Sequence, residues 1–180
     1  FQLAFPTKCI SKFPFARNPY STFSMTLKTG DTAPDFILKT KNAQGLQEVS
    51  LSQHRGENNV VLLFFPFAFT GVCTTEACSV RDDLDSYLKL DAKVYGISVD
   101  SPFSQEAMSL KEGLNFSLLS DFNKTVSSDY GVLYEDFIGY EGVSKRSAFV
   151  ISKEGKIVYS WTSDDPKELP DFSIIKDSLK

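Results

Sequence analysis

The stretch that decides the fold is NVVLLFFPFAFTGVCTTEACSVRDD, residues 59–83. It opens with seven residues, Asn59 to Phe65, of which six are apolar and several are β-branched or aromatic. A continuous run of that length fits a strand buried on both faces of a sheet, as in the parallel core of an α/β protein. Pro66 ends the run, because it has no N–H to give to a ladder. A short loop follows, and from Cys73 to Leu90 the period becomes helical. Val80, Leu84, Tyr87 and Leu88 fall at i, i+4, i+7 and i+8.

Outward from this unit the same alternation continues. Asp35–Leu38 and Gln47–Leu51 are short extended segments, and Val94–Val99 (VYGISV) is a second buried strand. Pro102–Gly113 reads as a helix with Gly113 just past its end. Phe116–Leu119 is a short strand, and Lys124–Tyr130 is a short helix stopped at Gly131. Arg146–Ile151 and Lys156–Trp161, joined through Lys153-Glu154-Gly155, form a hairpin. A last helix is expected after Pro170. The fold class is therefore α/β, with a central mixed sheet flanked by helices.

Bulk properties exclude several functions. At 180 residues and 42% hydrophobic content the chain is long enough for one self-sufficient core. The longest apolar run, near Val60–Ala68, is broken by Pro66 and is too short to span a bilayer, so no membrane partner is expected. A net charge of −4 gives no general attraction to phosphate backbones, which argues against nucleic acid. A single histidine, His54, leaves little room for zinc-hydrolase chemistry or histidine-based triads, and it reads as a loop residue. Three cysteines are too few for a disulfide scaffold and suit a reducing compartment.

Residues 1–24 stand apart. They carry Lys8, Lys12 and Arg17 and no acidic residue, a charge of +3 that leaves −7 on the remainder. Two readings stay open: a transit peptide, or upstream or disordered sequence with Met25 as the natural start. The expected organisation is an N-terminal extension, 1–24, followed by one domain, 25–180. Location is cytoplasmic, or organellar if the extension is a targeting sequence.

The chemistry points to Cys73. A cysteine at a helix N-terminus faces unpaired backbone N–H groups and the positive end of the dipole, and both favour thiolate over thiol. Thr70, three residues earlier, can aim its hydroxyl at the sulfur or at an oxygen of a bound peroxide. Gly71 permits a tight turn, and Pro66 shields the sulfur from water. Donors arranged in this way stabilise the negative charge that builds on one peroxide oxygen as the thiolate attacks the other. Glu76 could accept hydrogen bonds from the site, but a Glu in a first helical turn is also ordinary dipole complementarity. Arg81 is either a partner for a carboxylate near the site or a solvated charge.

Pro66-Phe-Ala-Phe-Thr70-Gly-Val-Cys73 matches in full the pattern Pro-x-x-x-Thr-x-x-Cys of the peroxiredoxins, and the chain resembles that family from about Lys28 onward. Gly30-Asp-Thr-Ala-Pro-Asp-Phe36, Tyr95-Gly-Ile-Ser-Val-Asp100, Leu119-Ser-Asp121 and the hairpin after Lys145 share in the likeness. The resemblance implies a thioredoxin-like fold, reduction of hydrogen peroxide and organic hydroperoxides, and no metal or organic cofactor. It also implies a site built from Pro66, Thr70, Cys73 and an arginine on a later strand, which Arg146 matches.

The five-residue spacing from Cys73 to Cys78 resembles the Q-type branch, also called bacterioferritin comigratory protein, in which the second cysteine resolves the sulfenic acid. FPFAFTGVC is more similar to the AhpE-type branch, whose members often use one cysteine. In a helix, five residues advance about 7.5 Å and turn about 140° past one full rotation. Cα atoms of a disulfide lie roughly 4.4–6.8 Å apart, so a Cys73–Cys78 bond requires the helix to unwind. The implied reductant is thioredoxin or a similar dithiol, and monomer and homodimer both fit. Two other classes are weighed: a general disulfide oxidoreductase, against which the missing Cys-x-x-Cys speaks, and a peroxide sensor or aromatic-surfaced binding protein.

Overall fold

The computed structural model describes residues 25–180. The extension 1–24, and Cys9 with it, lies outside the described residues. In chain order the elements are β1 (Ile37–Asn42), β2 (Gly45–Ser50), a single 3-10 turn (Ser52–His54), β3 (Asn59–Phe64), α1 (Gly71–Asp82), α2 (Leu84–Leu88), β4 (Ala92–Ser98), α3 (Pro102–Glu112), β5 (Ser117–Ser120), α4 (Thr125–Asp129), β6 (Ser147–Ile151), β7 (Ile157–Thr162) and α5 (Phe172–Asp177).

The strands make one seven-stranded sheet in the order β2-β1-β5-β4-β3-β6-β7. β3 and β4, and β4 and β5, are parallel, whereas β1, β2, β6 and β7 join antiparallel, so the sheet is mixed. The continuous apolar run becomes β3 because it lies between β4 and β6 and is covered on both faces. Val60, Leu62 and Phe64 point to one core with Ile97, Phe149 and Tyr130. Val61 and Leu63 point to the other, with Val80 and Tyr87 of α1 and α2 and with Ile175 of α5. This is strand alternation with no solvent face.

The helical reading of residues 73–90 is changed at both ends. α1 begins at Gly71, two residues earlier than the periodicity suggests, and it is interrupted at Asp83 (φ −117°, ψ 13°) before α2 resumes. The Asp83 carboxylate accepts from the Ser86 hydroxyl and pairs with Lys176 at 2.5 Å, so local side-chain bonding competes with the ladder there. α3 follows its sequence signals closely. Ser101 Oγ accepts from the Ser104 N–H, Pro102 fills the first turn, and Gly113 stops the helix in the left-handed region at φ 62°.

A third, smaller cluster fixes the position of the site. Phe65, Cys73, Ala77, Met108 and Leu118 pack at the carboxyl end of β3, under α1 and α3. Gly96 lets them close together. A Cβ built there would lie 2.6 Å from Leu118 Cδ2 and 3.2 Å from Phe65 Cε1. Gly96→Ala is therefore expected to lower stability by about 1–3 kcal/mol through overpacking, seen as a lower urea midpoint; an unchanged midpoint would mean that Leu118 yields freely.

Candidate active site

The segment from Phe65 to Thr70 carries the chain from β3 into α1. Phe65 N–H donates to the Ile97 carbonyl at 3.0 Å, and Ala68 N–H donates to Asp100 Oδ2 at 2.7 Å, so both ends of the loop are tied to β4 and its exit. Phe69 takes φ 64°, an uncommon conformation for a residue with a Cβ. Thr70 then occupies the N-cap position in extended conformation, and its carbonyl receives the Thr74 N–H at 2.9 Å. Gly71, Val72 and Cys73 fill the first turn, where N–H groups have no partner within the helix. Cys73 is only 2% exposed.

Arg146 reaches this sulfur because of strand register. Ser147 at the start of β6 lies opposite Phe64 at the end of β3, so the residue just before β6 is placed beside the loop that leaves β3. The guanidinium, 1% exposed, donates from Nη2 to Cys73 Sγ at 3.2 Å. Its Nη1 donates to Glu76 Oε2 in a buried ion pair. Nε and Nη2 both donate to the Pro166 carbonyl, at 3.1 and 2.9 Å. Burial works against the guanidinium's charge, but the Glu76 carboxylate and the Cys73 sulfur outweigh it and keep the group firmly protonated.

Glu76 is an acceptor beside the sulfur and not the helix-end charge that its sequence position suggested. Because α1 starts at Gly71, Glu76 lies in the second turn rather than the first and complements no helix end. It stands three residues after Cys73 and shares its face. It is 3% exposed, and Oε1 has no hydrogen-bond partner among the described residues. Burial pushes its carboxyl up to about 7, with Arg146 pulling the other way. The i+3 relation to Cys73 was the available signal; the arginine it needs comes from 70 residues away in sequence.

The other expected residues are placed as follows. Pro66 is buried at the end of β3. The Thr70 hydroxyl donates to the Phe67 carbonyl at 3.1 Å rather than to the sulfur, and its side chain is exposed. Cys78 is half-buried on another side of α1, with Sγ 4.0 Å from Glu112 Oε2. Arg81 bonds Asp82 at 2.8 Å and the Glu112 carbonyl at 2.5 Å, so it is a helix-to-helix tie and not a solvated charge. His54 is buried in the 3-10 turn, bonded to Tyr95 Oη at 2.9 Å, which corrects its reading as a loop residue. No group of three His, Cys, Asp or Glu side chains suited to a metal ion occurs among the described residues, and no helix among them is long and apolar enough to cross a membrane.

Behind the sulfur is a cavity of about 10 Å³, lined by Cys73, Glu76, Ala77, Leu63, Phe65, Gly96, Phe116 and Leu118. That is about the room of one water, so nothing larger reaches Cys73 from the core. The loop side is flanked by aromatic rings. Phe67 meets Phe137 and Tyr140 at 6.0 and 5.8 Å, and Tyr134 stacks on Phe137 at 4.9 Å.

The chain is similar to known proteins in sequence and in fold. The model of the AhpC/TSA family matches residues 29–160. Alkyl hydroperoxide reductase E of Mycobacterium tuberculosis is 37% identical over 155 residues, covering 85% of this chain and 96% of that protein. Peroxiredoxin Bcp of Escherichia coli is 37% identical over 157 residues, covering 86% and 96%. Among solved structures, a peroxiredoxin-like protein from Aquifex aeolicus superposes with a TM-score of 0.77 at 27% identity, covering 87% of this chain and 88% of that one.

The buried carboxyl has a consequence for stability. Folded Glu76 keeps its proton up to about pH 7, against an ordinary value of 4.5. Between those values the native state binds more protons than the unfolded state. The contribution of Glu76 is thus fully present below about pH 4.5 and is lost as pH rises through 7. Compared with Glu76→Gln, wild type is expected to lose on the order of 2 kcal/mol between pH 5 and pH 8, read from urea midpoints. A difference between the two proteins that does not change with pH would show that Glu76 stays ionised throughout.

Proposed function

This chain belongs to the AhpC/TSA family of thiol peroxidases, and from that premise we propose that it reduces hydrogen peroxide and organic hydroperoxides through Cys73. The observation that carries the reading is the buried Arg146 guanidinium donating to Cys73 Sγ at 3.2 Å, beside the open N–H groups of the first turn of α1. The thiolate attacks the outer peroxide oxygen. The O–O bond breaks, sulfur gives up two electrons, and the alkoxide or hydroxide leaves with a proton while Cys73 becomes a sulfenic acid. Arg146 and the helix N–H groups hold the charge on both sulfur and leaving oxygen. Thr70, exposed at the cap, exchanges the Phe67 carbonyl for a peroxide oxygen. Pro66 presents no N–H and keeps water from the sulfur.

Resolution follows by attack of the Cys78 thiol on the sulfenic sulfur, which releases water and forms a Cys73–Cys78 disulfide. Thioredoxin or a similar dithiol then restores both thiols. Both cysteines lie within α1 (Gly71–Asp82), so this step needs local unwinding. The same observation favours a second reading, in which the helix stays folded and an external thiol resolves Cys73 directly, as in a one-cysteine peroxidase or a peroxide sensor. The cysteines among the described residues, Cys73 and Cys78, are both free, which suits a reducing compartment such as the cytoplasm, and monomer and homodimer are both compatible with the site.

Peroxide consumption with thioredoxin, thioredoxin reductase and NADPH tests the reading. Cys73→Ser is expected to abolish turnover. One equivalent of hydrogen peroxide is expected to lower the wild-type mass by about 2 Da with loss of two thiols, and to add about 16 Da to Cys78→Ser. A gain of about 16 Da in wild type selects the one-cysteine reading. No fast reaction at Cys73 in either protein contradicts peroxidase function.

A further inference from the structure

We propose that Tyr134 is a positioning residue for the reaction at Cys73, acting through residues 163–168 on the guanidinium of Arg146. The inference rests on the peroxidase reading and adds a residue that the active-site motif does not contain. Besides the sulfur, two groups set the guanidinium plane: Glu76, which accepts from Nη1, and the Pro166 carbonyl, which accepts from both Nε and Nη2. The carbonyl belongs to a segment with no regular structure, after β7, so it is only as well placed as the segment is.

Part of the segment's order is internal. Ser163 Oγ donates to Glu168 Oε2 at 2.5 Å and accepts the Asp165 N–H at 3.0 Å. Part comes from the arginine's own neighbourhood: Ser163 N–H donates to the Arg146 carbonyl at 3.0 Å, and Lys145 pairs with Asp164 at 2.6 Å. Tyr134 supplies the tie from a different part of the fold, its hydroxyl donating to the Asp164 carbonyl at 3.0 Å, two residues before Pro166. Tyr134 is itself fixed. Its N–H donates to the Val143 carbonyl at 2.8 Å, and its ring stacks on Phe137, which meets Phe67 of the loop leading to Cys73.

One side chain therefore braces both halves of the site. Its ring leans, through Phe137, on the loop that presents the sulfur. Its hydroxyl holds the segment that presents the arginine. Placement at this precision governs rate, because a shift of about 1 Å away from a reacting centre can cost up to about 100-fold. Asp164 is an exposed residue and Tyr134→Phe keeps the ring and its stacking, so the variant is expected to fold.

The test compares two reactions of Cys73 in a Cys9→Ser, Cys78→Ser background: oxidation by hydrogen peroxide and alkylation by iodoacetamide, followed by intact mass. Both consume the thiolate, so for folded protein their rate ratio cancels the thiolate fraction. Only the peroxide reaction builds charge on a leaving oxygen that Arg146 must meet. Tyr134→Phe is expected to lower the peroxide-to-iodoacetamide ratio by roughly 3- to 10-fold. Ser163→Ala, which loosens the same segment, should move it in the same direction, and Tyr140→Phe should leave it unchanged. If the first two variants keep the parental ratio within about twofold while the parent oxidises quickly, Tyr134 has no positioning role. A parent that peroxide fails to oxidise contradicts the peroxidase reading instead. Should Tyr134→Phe not fold, Ser163→Ala alone decides.

Discussion

The site depends on one buried cation shared among three partners. Arg146 is almost fully withdrawn from water, and it is kept there by Glu76 on one side, the Cys73 sulfur on another and a backbone carbonyl between them. An isolated guanidinium in that place would be severely penalised. Removing Glu76 would leave the buried guanidinium without its acceptor on Nη1, a loss of about 3–5 kcal/mol when one partner of a buried pair is taken away. The same pairing that allows Arg146 to be buried gives it directional N–H groups in a water-poor space, where hydrogen bonds to a developing oxyanion are strongest. Stability and reactivity thus draw on a single arrangement.

The fold supplies that arrangement through register. β3 and β6 pair so that Phe64 faces Ser147, which leaves Arg146 level with the turn into α1. The turn is held by Phe65 N–H on Ile97 and Ala68 N–H on Asp100, so the first turn of α1 arrives at a fixed height over the sheet. Helical spacing then carries Glu76 to the same face as Cys73. The resolving step proposed for Cys78 would set a demand of the opposite kind. α1 must be intact for Cys73 to meet Arg146, yet a bond to Cys78 needs its early turns opened. The C-terminal half of α1 is tied to the end of α3 by Arg81 on the Glu112 carbonyl at 2.5 Å, and to the segment after α3 by Asn115 on the Arg81 carbonyl at 3.1 Å. Those ties favour unwinding from the Thr70 end.

Local pattern made much of this legible in the sequence. The run at 59–65 reads as a central strand because six of its seven residues are apolar, and Ser101-Pro102 with Gly113 bounded α3 through capping chemistry that acts over a few residues. The start of α1 was misplaced because Gly71 and Val72 carry no periodic signal; the helix there is set by the tethered loop. Glu76 was undervalued for the same reason, since its meaning depends on an arginine 70 positions later. The Pro166 carbonyl had no side-chain signature at all, and Tyr134 looked like one aromatic among many. The direction of the Thr70 hydroxyl is a rotamer choice that no spacing rule fixes.

The central claim is that the fork geometry of Arg146, and not merely a positive charge, makes Cys73 react with peroxide. Stopped-flow measurement of the second-order rate of Cys73 with hydrogen peroxide in Arg146→Lys tests it most directly. Lysine keeps the charge but cannot serve Cys73, Glu76 and Pro166 together. The rate is expected to fall by about 100- to 1,000-fold, the loss typical of one misplaced oxyanion donor. A rate within about threefold of wild type would show that charge alone suffices and would contradict the account.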